Sequence, residues 1–351
     1  MKNRNIKNKL CLIVSVLILI LIIGSCENYL DKAPAAAITE KDAFGNFVSF
    51  QGFIEELYNC VADYQKASGN KYDFMYADEC LNSGYIFPFD KGNYWENYLL
   101  PGSSANTDNN AGTKRVFPLS WYGIRKANLG LSKLGLFSGT QEEKDLIQGQ
   151  ALFFRAWLHF ELMRYYGGIP YIDTVLSSSG DIRIPRLNYR QTALKAAKDF
   201  RAAADLLPVK WDNTVAGQTT LGNNQQRITK IHALAFLGKD LLYAASPLMN
   251  EESTGSPTFD KELCKEAAQA FADVIKICND TKAYQLQSWA TWTDNFWVWS
   301  PGDRTLPGGT EVIMFPPAYD PGRVKWRMFS TQIAMGGTKG FGGTPTPTFI
   351  K

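Results

Sequence analysis

Gly149-Gln150-Ala151-Leu152-Phe153-Phe154-Arg155-Ala156-Trp157-Leu158-His159-Phe160-Glu161-Leu162-Met163-Arg164-Tyr165-Tyr166-Gly167-Gly168-Ile169-Pro170 is the stretch on which the fold turns. Its apolar residues lie nearly all round a helix, the pattern of a helix buried among others. Thr140 with Glu143 makes a capping box that opens the helix. Gly167-Gly168 and then Pro170 stop it, as a glycine C-cap followed by proline does. Arg155, Trp157, His159, Glu161 and Arg164 suggest catalysis at first sight. Glu161 and Arg164 are an ordinary (i, i+3) pair, however, and the apolar surround reads all five as structural. His159 and His232 are the two histidines of the chain, each inside a core-like helix. Without cysteine or acid at ligand spacing they predict no metal site.

Helical spacing continues on both sides. A first helix is expected over 40–66, opened by a Thr39–Asp42 capping box, with Phe44, Phe47, Ile54, Leu57, Tyr58 and Val61 in register. Residues 119–137 read as a helix with Trp121, Ile124, Leu131 and Leu134 inward. Further helices are expected over 189–207, ended by Pro208, over 229–245, ended by Ser246-Pro247, and over 260–279. The connections 171–187 and 209–228 are polar and loop-like. The class is therefore mainly α, with little β: a helical repeat scaffold of the tetratricopeptide type carrying long irregular loops. The spacing is not a clean 34-residue repeat.

Two regions depart from this pattern. Residues 67–117 are rich in Gly, Asn, Asp, Tyr and Pro, and irregular stretches this long are often functional. After residue 280, Trp289, Trp292, Phe296, Trp297 and Trp299 crowd together. A short strand-like Glu311-Val312-Ile313-Met314-Phe315 and a turn-rich stretch from Gly336 to Pro347 follow. Aromatic residues are 13% of the chain, and many stand in loop-like sequence rather than on helical stripes.

The N-terminus reads as an export signal. Lys2, Arg4, Lys7 and Lys9 precede a 14-residue apolar run, Leu10 to Ile23, broken only by Ser15, and then Gly24-Ser25-Cys26. That run has the length of a signal-peptide core and is short for a membrane span. Small residues before cysteine fit a lipoprotein signal over residues 1–25, with Cys26 lipidated as the first mature residue. Two or more acyl chains would hold the protein firmly on a membrane face. Removing the four basic residues of that segment takes the formal net charge from +3 to −1. Nothing in that balance asks for nucleic acid. Residues 26–38 read as a tether and 39–351 as the folded part.

Cys60 and Cys80 could pair in an oxidising compartment, although four buried free thiols, with Cys264 and Cys278, is the preferred reading. Cys264 and Cys278 lie on one expected helix about 21 Å apart at about 1.5 Å per residue, too far to bridge. Nucleophile-elbow, zinc-protease, Cys-x-x-Cys, phosphate-loop and dinucleotide fingerprints are all missing from the sequence, and no cofactor is expected. Asp78, Glu79, Asp294 and Glu311 are the acids that could serve glycoside hydrolysis, whose paired carboxylates are set by space and not by sequence.

Several blocks then resemble one family, the SusD/RagB nutrient-binding lipoproteins of the Gram-negative outer membrane. Cys26-Glu27-Asn28-Tyr29-Leu30-Asp31-Lys32-Ala33-Pro34 resembles the family's start after the lipidated cysteine. Trp121-Tyr122-Gly123-Ile124-Arg125-Lys126-Ala127-Asn128 is similar to its I-R-x-A-N helix, and 149–170 to its most recognisable block. Ile184-Pro185-Arg186, Arg227-Ile228-Thr229-Lys230 through Leu242-Tyr243-Ala244-Ala245-Ser246-Pro247-Leu248, and Gly343-Thr344-Pro345-Thr346-Pro347 follow in order. In the last block Thr348 stands where the family often has an acid.

The resemblance implies a tetratricopeptide-like fold with a loop-built ligand face. It implies capture of an oligosaccharide or polysaccharide, less often a peptide, at the exterior of the outer membrane. It implies a TonB-dependent transporter of the SusC type as partner. Members usually continue past the last block, so the expectation is that 39–351 is the N-terminal part of the family fold with the C-terminal portion missing.

Sugar rings stack their C–H faces on aromatic rings and offer hydroxyls to planar polar groups. Asp78, Tyr85, Tyr94, Trp95 and Asn97, with Asn93 beside them, and Trp297, Trp299 and Trp326 in the late region, are the expected ligand contacts. Trp95 leads because its neighbours are polar; Trp297 and Trp299 alternate around Val298, as on one face of a strand, and core packing is the stronger alternative for them. The competing readings are a surface-anchored glycoside hydrolase, a helical adaptor that binds no ligand, and a truncated member without function.

Overall fold

The computed structural model describes residues 38–61, 80–82, 116–177, 179–180, 182–224, 226–291, 311–314 and 343–345. Residues 1–43 and 44–351 form two separate units. Of the first, the described part is the capped start of α1 (Glu40–Phe44), where the Thr39 backbone N–H donates to Asp42 Oδ2 at 2.9 Å and Asp42 N–H returns to Thr39 Oγ1 at 3.2 Å.

The second unit holds the scaffold. Its helices are α2 (Phe47–Glu55), α3 (Val116–Lys133), α4 (Gln141–Tyr166), α5 (Tyr189–Leu206), α6 (Val215–Gln218), α7 (Lys230–Ala245), α8 (Pro247–Thr254) and α9 (Lys261–Thr281). The long helices stack in chain order: α3 on α4, α4 on α5, α5 on α7, and α7 on α9. Two three-residue strands, β1 (Cys80–Asn82) and β2 (Gly343–Pro345), pair antiparallel with Cys80 opposite Pro345. The mainly α repeat architecture is as the apolar periodicity implies.

The α4 stretch is buried from Leu146 to Met163, Lys/Arg-type and acidic positions included, apart from the partly covered Gln148. Thr140 and Glu143 close the capping box in both directions, at 2.8 and 3.2 Å. Phe153, Phe200 and Phe236 bring α4, α5 and α7 together, with ring centroids 5.8–6.3 Å apart. Such rings each contribute on the order of 2–3 kcal/mol by burial.

Three boundaries differ from the sequence reading. The helix expected over 40–66 breaks at Gly45-Asn46, because Asn46 is extended and its Oδ1 accepts from Ser49 N–H at 3.0 Å, starting α2 afresh. That helix then tightens into a 3₁₀ turn over Glu56–Cys60, and Val61 is extended. The stretch 209–228 is not all loop: Thr214 caps α6 through Gly217 N–H at 2.9 Å. Residues 311–314 form no strand, and the short β2 lies instead in the turn-rich stretch. Cys60 is buried, its Sγ 3.8 Å from the Glu56 carbonyl, whereas Cys264 and Cys278 are only half-buried on α9, correcting the expectation of full burial. The side chain of Cys80 lies outside the described residues.

A polar node ties three helices to the loop after α4. Arg155 grips Asp199 with two hydrogen bonds, Nε to Oδ2 at 2.6 Å and Nη2 to Oδ1 at 2.8 Å. Its Nη1 donates to Asn128 Oδ1 at 3.0 Å and to the Asp173 carbonyl at 3.1 Å. Asn128 donates onward to the carbonyls of Ile172 and Thr174, at 2.9 and 3.1 Å. Tyr171 donates its hydroxyl to Asp199 Oδ2 at 2.6 Å. The His159 ring lies flat on Tyr171, centroids 3.9 Å apart. Its Nε2 accepts from Ile172 N–H at 3.0 Å, which puts the proton on Nδ1, where it is donated to the Arg155 carbonyl at 2.7 Å. Burial pushes the His159 pKa down to about 3, so the ring is neutral. All these side chains are committed to holding residues 171–174 against α3, α4 and α5.

The corner between α4 and α5 is closed by backbone contact. Gly167 adopts φ 72°, a region costly to any residue with a Cβ. Arg186 caps the helix end, donating from Nη2 to the Tyr166 carbonyl at 2.7 Å and from Nε to the Gly168 carbonyl. A Cβ on Gly168 would stand 2.3 Å from the Leu187 carbonyl oxygen and 2.4 Å from the Asn188 carbonyl carbon. Gly168→Ala is therefore expected to lower stability by roughly 2–3 kcal/mol, since backbone cannot move aside as a side chain can. An unshifted urea midpoint would show that the corner opens freely.

Candidate functional site

The site begins where α9 ends. Lys282 caps that helix in the left-handed conformation, φ 54°, with its N–H on the Cys278 carbonyl at 2.9 Å. The chain then turns back over the start of α7. Tyr284 is tucked under, its ring edge-on to His232 with centroids 6.3 Å apart. Leu286 and Trp289 are 86% and 87% exposed. A tight turn follows Trp289, with Thr291 N–H donating to the Ser288 carbonyl at 3.0 Å and Thr291 Oγ1 to Gln287 Oε1 at 3.1 Å.

A second segment supports this rim. Glu311 Oε2 accepts from Gln287 N–H at 3.2 Å, which joins residues 311–314 to the Trp289 turn. Ile313 and Met314 face Tyr58, Val61, Gln226, Ile228 and His232 across a small crevice. Tyr58 crosses beneath, donating to Gln150 Oε1 at 2.8 Å and accepting from Ile228 N–H at 3.0 Å. Burial raises its pKa well above the usual phenol range. His232 is 2% exposed and in the first turn of α7. Its Nδ1 accepts from Thr229 N–H at 3.2 Å. Burial holds its pKa down at about 4.

The arrangement places an 87% exposed indole near the amide, hydroxyl and carboxylate groups of Gln287, Thr291 and Glu311. An isolated exposed apolar side chain is ordinary. A large aromatic ring displayed at nearly full exposure on a braced turn is the form of a stacking surface. Among the described residues no group of His, Cys, Asp and Glu is placed to hold a metal ion.

Of the late tryptophan crowd read from the sequence, Trp289 is the described member. The expected contacts Asp78, Tyr85, Tyr94, Trp95, Asn97, Trp297, Trp299 and Trp326, and the lipidation residue Cys26, lie outside the described residues. So do Asn93, Trp292, Glu79 and Asp294. Glu311, one of the acids considered for hydrolysis, braces Gln287. Arg155 and His159 are consumed by the polar node of the fold. Sequence reasoning missed His232 as part of the site, because Ile313, which lines the same crevice, is remote in the chain.

Comparison with known proteins fits this picture. A family model described as starch-binding and associating with the outer membrane matches residues 28–242. SusD-like protein P2 of Formosa agariphila is 32% identical over 75 residues, 21% of this chain and 15% of that protein. The crystal structure of a SusD-like protein from Bacteroides fragilis aligns over 81% of this chain at 18% identity, with a TM-score of 0.55. A surface glycan-binding protein A from Bacteroides uniformis aligns over 69% at 16% identity, with a TM-score of 0.50. This chain spans 47% and 48% of those two solved chains, about half their length.

Proposed function

This chain belongs to the SusD-like family, and from that membership we propose that it is a non-catalytic glycan-binding lipoprotein of the outer membrane. Cys26 carries the lipid, the folded part faces the exterior, and captured oligosaccharide or polysaccharide passes to a SusC-like TonB-dependent transporter. The signal-like N-terminus supports the anchor. The family's description as starch-binding and outer-membrane-associated supports the ligand class and location.

The observation that carries the reading is Trp289, 87% exposed on a turn that Glu311 braces through the Gln287 N–H. Tyr85, Tyr94, Trp95, Trp297, Trp299 and Trp326 are proposed as further rings of the same ligand face, with Asp78 and Asn97 as hydroxyl partners. Stacking favours no single sugar, so the chemistry recognised is that of pyranose chains in general.

The test is affinity electrophoresis of the full chain in detergent, in gels containing amylopectin, laminarin, arabinoxylan or polygalacturonate. Wild type is expected to be retarded by at least one. Trp289→Ala is expected to bind that polysaccharide about tenfold more weakly, the loss of ~1.4 kcal/mol. So exposed a ring costs the fold less than about 0.5 kcal/mol when removed. Absence of retardation in every gel would overturn the binding reading. Release of reducing ends would replace it with a hydrolase.

A further inference from the structure

Two residues before Trp289, Gln287 is half-buried and held at both ends, backbone and side-chain tip. Its backbone N–H is fixed on Glu311 Oε2 at 3.2 Å, and its amide oxygen Oε1 accepts from Thr291 Oγ1 at 3.1 Å. Thr291 is itself set by the turn, its N–H donating to the Ser288 carbonyl at 3.0 Å, and Ser288 Oγ lies 3.0 Å from Thr291 Oγ1. A hydroxyl has one proton to give. That of Thr291 goes to Gln287, with the Ser288 carbonyl a more distant acceptor at 3.5 Å, so Ser288 is the donor to Thr291. The chain of donation therefore runs from Ser288 through Thr291 to Gln287. It occupies Oε1 and turns the other half of the amide outward. The two N–H groups of Nε2 find no acceptor among the described residues. Fixing the rotamer of a glutamine is among the larger side-chain entropy costs of binding, and here the turn fixes it beforehand.

We infer that Gln287 is a specificity-determining contact beside Trp289: the indole takes the C–H face of a pyranose ring, and the Gln287 amide donates to an oxygen at the edge of that sugar. Thr291 is a positioning residue that acts through Gln287. The inference rests on the glycan-binding reading above and adds what stacking alone does not supply. An indole face takes any apolar surface, whereas a fixed N–H demands an oxygen at one place. The pair selects a polyhydroxylated ring over a purely apolar one.

The experiment uses the full chain in detergent as wild type, Trp289→Ala, Gln287→Met, Thr291→Val, Thr291→Ser and the double variant Gln287→Met with Thr291→Val. Two quantities are read: retardation in the amylopectin, laminarin, arabinoxylan and polygalacturonate gels, and backbone hydrogen exchange in peptides covering 283–291. In the gel that retards wild type most, Gln287→Met is expected to bind about fivefold more weakly, the loss of one hydrogen bond. Its exchange should stay within about twofold of wild type, since methionine keeps the length of the side chain and leaves the backbone N–H on Glu311. Thr291→Val is expected to weaken binding about threefold alone and not at all in the Gln287→Met background, because the hydroxyl acts only through the amide. Thr291→Ser keeps the hydroxyl and should bind as wild type. A Gln287→Met variant that binds as wild type overturns the inference, as does a Thr291→Val loss of the same size in both backgrounds. Exchange about tenfold faster in Gln287→Met also overturns it, since the weaker binding would then come from a loosened turn. If no gel retards wild type, the glycan-binding reading falls and this inference with it. If wild type is retarded and Trp289→Ala binds more weakly while Gln287→Met does not, this inference falls alone.

Discussion

Arg155→Ala is expected to lower unfolding stability by about 3–5 kcal/mol, the loss seen when one member of a buried ion pair is removed. Asp199 is 7% exposed and would keep a carboxylate in the core with only the Tyr171 hydroxyl as a close donor. The same truncation releases Asn128 and the Asp173 carbonyl, so the 171–174 loop loses its hold on α3 as well as α4. Arg155→Lys should recover only part, because an ammonium cannot offer the two parallel bonds to Asp199 together with a third direction toward Asn128. Arg155→Met combined with Asp199→Leu should cost less than Arg155→Met alone, since no buried charge is left behind. Urea unfolding of these four variants and of Asp199→Leu alone checks this. Additive losses in the double variant would mean that the node contributes by packing and not by charge.

Asp240→Asn is expected to stabilise the protein, and to do so increasingly as pH rises. Asp240 is fully buried on α7, and among the described residues neither of its carboxyl oxygens has a hydrogen-bond partner. Burial raises its pKa well above the usual carboxylate range, with Arg201 pulling the other way. The groups facing it from the packed elements are Arg201 and Tyr189 on α5 and Tyr171 on the loop, with Tyr243 near Tyr189. Arg201 is itself paired with Glu266 at the surface, so it answers Asp240 weakly. The sign follows from linkage. The folded state keeps the proton that the unfolded chain has already lost. The contribution is full below the ordinary carboxylate pKa, and is lost as pH rises through the folded value. Wild type should therefore lose about 1.4 kcal/mol per pH unit across that window relative to Asp240→Asn. The buried histidines act in the opposite sense, since His159 and His232, held near 3 and 4, cost stability as pH falls below about 6.5. They are common to both proteins and cancel in the difference. Urea midpoints at pH 5 and pH 8 measure it, and a gap that stays constant between them would show that Asp240 carries its charge in the fold.

The helical scaffold was legible because its signals are local. Thr140 and Glu143 name a helix start from four residues, and Gly167-Gly168-Ile169-Pro170 names a stop. The break at Gly45-Asn46 was not, because Phe47, Ile54 and Leu57 stay in helical register across it and mask the new cap. Residues 209–228 hid α6 because a four-residue helix has no periodicity to show. The site was half legible. That aromatic residues gather after 280 is plain from composition. What composition hides is direction: Tyr284 and Trp289 look alike in the sequence, yet one is packed on His232 and the other displayed. Long-range partners such as Tyr58 and Gln150, or Arg155 and Asp199, leave no spacing to read.

The Arg186 cap has a consequence for how this protein tolerates change. Arg186 bonds back to Tyr166 and Gly168, and Gly168 lies against Leu187, so the intervening chain leaves and re-enters the scaffold at one pinned neck. Asn128 and Arg155 fasten its first few residues, while Ser177, Ser179 and Gly180 at its tip are exposed. Lengthening a loop beyond a fixed neck adds only a slowly growing entropy. The tip is thus an insertion port, where extra residues, an epitope or a dye can be carried without the helices registering their presence.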